Sequence, residues 1–164
     1  DALLIDAPAF PPRRIIQRGG VIVEGYSSYD PNWYLSFKDR IMRITKPDID
    51  YTDLNPMGRV DQWSLRVYGC IFVPQAGTYT FYLTTDDGAR FWVNWQILID
   101  QWRDQGATTY SNNYTFSVPG WYPIRIDHYE NGGSERLLLE WSGPSINRQK
   151  VTSYYLGICY PDLF

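Results

Sequence analysis

From Trp63 onward the chain repeats one device, a short run of alternating apolar and polar residues closed by a turn. Trp63, Leu65, Val67, Ile71 and Val73 share one face, and Tyr79, Phe81 and Leu83 do the same in the next run. A period of two is the mark of a half-buried β-strand, because successive side chains leave a pleated backbone on opposite sides. Residues 89–93, 96–100, 114–118, 121–129 and 136–141 continue the series. Between the runs stand Ala76-Gly77, Asp87-Gly88, Pro119-Gly120, Asn131-Gly132-Gly133 and Ser142-Gly143-Pro144, residue types that set turn dihedrals. Short strands at this spacing, with little helical periodicity after residue 45, predict an all-β, antiparallel β-sandwich. Residues 151–164 are apolar and aromatic and are expected to dock as a final strand. The 164 residues suffice for one domain with a real core.

The N-terminal stretch reads differently. Leu3-Leu4-Ile5 and Ile15-Ile16 are apolar patches separated by Pro8, Pro11 and Pro12, which forbid a helix. Residues 1–20 therefore read as an extended N-terminal arm hinged at Gly19-Gly20, and residues 21–164 as the sandwich. Residues 21–24 form a short strand, Asp30-Pro31-Asn32 is a turn signal, and residues 37–44 fit a short helix or a strand. The acidic and polar residues 48–53 lead into a loop at Asn55-Pro56-Met57-Gly58. An extended apolar segment such as residues 1–18 suits strand addition to another copy of the chain. The alternative is an arm folded back on its own sandwich, which favours a lectin-like module over an assembling subunit. The start at Asp1 reads as a mature or trimmed product.

Several function classes are disfavoured. The net charge is −3, and the 15 Lys and Arg are scattered rather than clustered, so no nucleic-acid partner is expected. No apolar run approaches the ~18 residues of a membrane span. No Gly-x-Ser-x-Gly, Walker loop or His-Glu-x-x-His is present, so the chain is not expected to be an enzyme. His128, the only histidine, lies in an alternating run and reads as a core or rim residue. Cys70 and Cys159 are either a disulfide closing most of the domain or two small core residues. Asn113-Tyr114-Thr115 is a lone glycosylation sequon that chance explains.

Asp86-Asp87-Gly88 ends one alternating run and precedes the next. By residue type alone it is either a hairpin turn or a place to hold a hard cation. Around it the chain resembles the PA14 domain family. The resemblance rests on Trp63-Ser64-Leu65-Arg66-Val67-Tyr68-Gly69 and Val73-Pro74-Gln75-Ala76-Gly77-Thr78-Tyr79-Thr80-Phe81. It continues through Asp86-Asp87-Gly88-Ala89-Arg90-Phe91-Trp92-Val93, Leu98-Ile99-Asp100-Gln101-Trp102 and Gly120-Trp121-Tyr122-Pro123-Ile124-Arg125-Ile126. Tyr129-Glu130-Asn131-Gly132-Gly133 and Leu137-Leu138-Leu139-Glu140-Trp141 complete it. It implies an extracellular or surface-associated sandwich that binds a glycan or glycoprotein, or mediates assembly of a filament or surface structure.

The same resemblance implies Ca²⁺ held by Asp86 and Asp87 across a cis peptide, with the Asn131 side chain and carbonyls near Gly133 and Glu135. Water or sugar hydroxyls complete the shell. A folded site that stays empty is the third reading. Trp95, Trp102, Tyr110 and Trp33, on or beside turns, are candidates to stack on a sugar ring. Trp63, Phe81, Trp92 and Trp141 are assigned to the core. Asn94-Trp95 departs from the family, which prefers a small residue after the Asp or Asn. A Trp there implies either a wider turn or a side chain placed outward for contact, so Trp95 is the preferred anchor.

Overall fold

The computed structural model describes residues 14–52 and 61–160. Chain order gives β1 (Arg14–Arg18), β2 (Val21–Tyr26), β3 (Arg40–Lys46), β4 (Asp50–Tyr51), β5 (Trp63–Val73), β6 (Gly77–Asp86) and β7 (Ala89–Val93). There follow β8 (Gln96–Gln101), β9 (Thr108–Phe116), β10 (Gly120–Glu130), β11 (Arg136–Gly143), β12 (Ile146–Lys150) and β13 (Leu156–Tyr160). One sheet has eight strands, in the order β1-β13-β5-β10-β7-β8, with β2 against β5 and β3 against β2. The other has five, β12-β11-β6-β9, with β4 against β11. All pairings are antiparallel. Among the described residues no helix is long and apolar enough to cross a membrane.

The alternation of β5 turns Trp63, Leu65, Val67, Ile71 and Val73 inward, each essentially without solvent contact. Opposite them stand Tyr79, Phe81 and Leu83 of β6 and Leu137, Leu139 and Trp141 of β11. Rings close the gap between sheets: Phe81 meets Phe91 edge-on at 5.4 Å, and within one sheet Tyr79 stacks on Trp141 at 5.2 Å. Fully burying a side chain of this size is worth about 1.5–3 kcal/mol, which makes this layer the main support of the fold. Cys70 and Cys159 form a disulfide between β5 and β13, with Cα atoms 5.7 Å apart.

Residues 14–18 of the expected arm are strand β1, paired with β13 of the same chain through Arg14↔Tyr160 and Arg18↔Gly157, which is the folded-back alternative for this part of the arm. Other expectations need correction or fall outside the described residues. The apolar patch at 3–5 and the loop at 55–58 lie outside the described residues. The segment expected to begin a strand at residue 114 begins it at Thr108. Its first half is polar because it is an edge strand whose outward residues meet solvent. Residues 50 and 51, within the acidic and polar stretch 48–53 to which no strand was assigned, form β4 against β11. Trp92 is not in the core: Phe91 and Val93 point inward, so alternation turns it out toward Trp33 and Arg125.

Candidate metal centre

Two crossings between the sheets lie side by side at one end of the sandwich. Residues 86–88 carry the chain from β6 to β7, and residues 131–135 carry it back from β10 to β11. Arg136 stands opposite Asp86, and His128 stands opposite Ala89, so pairing in both sheets fixes the two crossings together. The main chains also bond directly, Asp87 N–H to the Tyr129 carbonyl at 3.2 Å and Tyr129 N–H to the Gly88 carbonyl at 3.0 Å. The Asp86–Asp87 peptide is cis.

This arrangement brings three carboxylates together. Asp86, Asp87 and Glu130 each offer an oxygen within 4.8 Å of the others. They are 9%, 6% and 0% exposed. Asp87 is held firmly: Oδ1 accepts from the Gln105 N–H at 3.0 Å and Oδ2 from the Asn131 N–H at 2.9 Å. Its carbonyl accepts from the Thr85 hydroxyl at 2.9 Å and from Gln105 Nε2 at 3.1 Å. Glu130 is the opposite case, with neither carboxyl oxygen hydrogen-bonded in ordinary geometry. Burial, then the close Asp87 carboxylate, then the charge of Asp86 push its pKa up to about 9. Burial followed by the Asp87 charge raises Asp86 as well.

A buried carboxylate without a donor of its own, crowded by two others as Glu130 is, is costly unless a proton or a cation joins them. Ca²⁺ binds oxygen at about 2.3–2.6 Å, so two ligands across one ion lie up to about 5 Å apart. The spacing of these three oxygens fits that requirement, and the orphaned Glu130 oxygens supply the missing demand.

Sequence reasoning did not single out Glu130, Asp104, Gln105 or Thr85. Glu130 ends an alternating strand, and nothing in its pattern separates it from a solvated residue. Asp104 accepts from the Tyr129 hydroxyl at 2.6 Å and from Asn131 Nδ2 at 2.9 Å. Asn131 thus sits beside the acidic pair, but its main-chain N–H faces Asp87 while its side-chain amide is tied to Asp104. Gly133 and Glu135 lie in the same connection, Gly133 with a positive φ of 86°. His128 is fully buried, and burial lowers its pKa to about 4. Its Nδ1 lies 3.1 Å from the Gly88 carbonyl and 3.3 Å from the Thr85 hydroxyl, which makes it a support for the crossing.

The aromatic candidates divide. Trp102 lies near the centre, its ring 4.7 Å from that of Tyr129 and its Nε1 donating to the Asp30 carbonyl at 2.9 Å. Tyr129 also stacks on Tyr29 at 4.6 Å. Tyr110 is one step further out: its hydroxyl bonds Gln105 Oε1 and accepts from Arg103 at 2.8 Å. Trp95 is at the far end of β7, about 16 Å away by strand length. The turn there is not wider than expected: Asn94 (φ 48°) and Trp95 (φ 68°) make a two-residue hairpin with both residues left-handed. Asn94 stabilises it by donating its N–H to the Pro123 carbonyl and its amide to the Tyr114 hydroxyl, each at 2.8 Å. Trp95 therefore has no place beside the acidic cluster.

Comparison with known proteins gives four findings. The family profile described as PA14 domain matches residues 25–153. The anti-sigma-I factor RsgI3 of Acetivibrio thermocellus is 32% identical over 111 residues, 66% of this chain and 17% of that protein. A solved anti-sigma factor domain-containing protein superposes with a TM-score of 0.78 at 29% identity, over 89% of this chain and 50% of its own. A PA14 sugar-binding domain from an RTX adhesin superposes with a TM-score of 0.70 at 20% identity, over 86% of this chain and 99% of its own. The chain thus spans half or less of the length of the two anti-sigma relatives.

Proposed function

The chain belongs to the PA14 domain family, and from that premise we propose that it is a non-catalytic, calcium-dependent carbohydrate-binding module working at a cell surface. The observation that carries this reading is Glu130. Two buried oxygens with no hydrogen bond of ordinary geometry face the Asp86–Asp87 pair, and a hard cation would satisfy all three carboxylates at once. Asp86, Asp87 and Glu130 are the anionic ligands in this reading. Asn131 adds its amide oxygen, because Asp104 takes the amide nitrogen and leaves Oδ1 for the ion.

Bound Ca²⁺ takes six to eight oxygens, so this donor set leaves positions for hydroxyls of a sugar. The chain's own part is to hold that shell still. Gln105 and the Asn131 N–H fix the Asp87 carboxylate, and Thr85 and His128 fix the carbonyls behind it. Trp102 and Tyr129 stand beside the centre as flat apolar surface for a ring face. The likeness to the sugar-binding PA14 domain of an RTX adhesin supports this use of the fold. The partial coverage of the anti-sigma relatives supports a place for such a module within a longer protein. Pairing of residues 14–18 with this chain's own β13 favours a binding module over an arm exchanged between copies.

The experiment is thermal unfolding with calcium and with chelator, alongside a glycan array under both conditions. Calcium at a hundred times its Kd is expected to stabilise the protein by about 2.7 kcal/mol. The Asp86→Asn, Asp87→Asn double variant is expected to lose that gain and the glycan signal. Equal melting temperatures of wild type with and without calcium would reject the proposal.

A further inference from the structure

A groove of about 570 Å³ lies on the outer face of the eight-stranded sheet, between the turn at residues 31–34 and the end of β8. That volume is in the range of small-molecule sites, about 300–1,000 Å³. Two tryptophans held in place stand among its polar lining residues. Trp33 donates its indole N–H to Asp127 at 2.6 Å, and Trp102 donates its own to the Asp30 carbonyl at 2.9 Å. With both polar edges satisfied inside the protein, what the rings present to the groove is apolar surface. Tyr34 stands at the rim, 67% exposed.

The polar lining is planar, and its charges are one matched pair and one further arginine, Arg103. Arg90 and Asp100 form a two-pronged pair at 2.7 and 3.1 Å, and the Arg90 guanidinium lies over the Trp33 ring at 4.6 Å. Arg103 donates to the Tyr110 hydroxyl. Arg90 is matched by Asp100, which leaves Arg103 as a single cation at the rim rather than the arginine cluster that marks a phosphate or sulfate ester site. A purely apolar ligand would strand the Arg90–Asp100 pair and the Gln101 amide without partners. Flat indole faces combined with paired donors and acceptors suit a ring that has hydroxyls at its edge and C–H groups on its face.

We propose that this groove is a second carbohydrate subsite, which takes a pyranose unit of a neutral oligosaccharide with no cation. It goes beyond the calcium reading, since none of its lining is a cation ligand, although Trp102 places it next to Tyr129 and the metal centre. An oligosaccharide crossing from one to the other would be read at both places.

The test is calorimetric titration of the whole chain, in EDTA, with cellotetraose, mannotetraose, maltotetraose, xylotetraose and chitotetraose. At least one is expected to bind. The double variant Tyr34→Ala, Gln101→Ala is expected to weaken it about ten-fold, with an unchanged melting temperature because Tyr34 is exposed. Binding by none of the five in EDTA overturns the proposal, and so does binding that the double variant leaves intact. Binding seen only with calcium overturns the cation-free groove and leaves the metal reading standing. A missing calcium effect on melting alone rejects the metal reading and leaves the groove.

Discussion

Glu130 and Gly88 show how much one residue decides in this sandwich. At neutral pH without a cation, the Glu130 carboxyl carries its proton, because burial and two neighbouring carboxylates disfavour its charge. Glu130→Gln keeps the shape and the neutral state but removes the negative charge that a bound cation would meet. It is expected to leave melting in chelator within about 1 kcal/mol of wild type while weakening calcium binding at least about ten-fold, as calorimetry would read. Loss of stability in chelator with calcium affinity intact would place Glu130 in the scaffold only. Gly88 is constrained by close approach: a Cβ there would run into the Tyr129 ring and lie 2.7 Å from the Arg103 main-chain nitrogen. Gly88→Ala is expected to cost about 1–3 kcal/mol in urea unfolding, since neither neighbour is free to retreat. The Asp-Gly pair looked like hairpin chemistry in the sequence, yet the glycine is needed for packing between two crossings.

At the scale of elements, pairing of distant strands carries the argument. β10 lies between β5 and β7 and ends in the Tyr129-Glu130 pair that meets the acidic crossing. The disulfide ties β13 to β5 across a separation of 89 residues. A closed loop of that length is worth about 4–5 kcal/mol in the chain-entropy model. Cys70→Ala with Cys159→Ala is therefore expected to lower the melting temperature by about 10 °C or more, and a shift of only a degree or two would contradict it. Short β4 is held to β11 by charge as well as pairing. Asp50 accepts from Arg136 at 2.6 Å and from Lys150 at 3.2 Å, and these bonds lower its pKa from the ordinary value of 3.8. A carboxylate whose folded pKa is depressed adds stability above its unfolded pKa and loses it as pH falls through the folded value. Asp50→Asn is expected to cost up to about 1 kcal/mol at neutral pH, this being a partly exposed pair, and less at pH 2, below the ordinary value of 3.8. Chemical denaturation of both proteins at the two pH values checks it. The start of β9 at Thr108 was hidden because an edge strand buries little of one face, so its alternation is polar on both sides for half its length.

For the molecule as a whole, calcium and glycan are expected to act on a structure that is already folded, since the core between the sheets does not involve the acidic crossing. Unfolding in chelator is therefore expected to remain a single cooperative transition at lower temperature, and a noncooperative melt by circular dichroism would contradict this. The strands, their turns, the inward faces of β5, β6 and β11 and the family itself were legible along the chain. Each of these is set by neighbours two to five residues apart, where pleat geometry and turn dihedrals act directly. The acidic pair was legible too, as two residue types at a strand end. What it faces was not. Glu130, Asp104 and Gln105 reach Asp86 and Asp87 only because crossings from different hairpins are registered by pairing in both sheets. The same is true of the groove, whose two tryptophans come from a turn near the N-terminus and from the end of β8. Local sequence determined which segments extend and which faces are apolar. Only the tertiary structure decided which carboxylates share a cation-sized space, because that depends on long-range register and on burial, and neither is a property of a short stretch of chain.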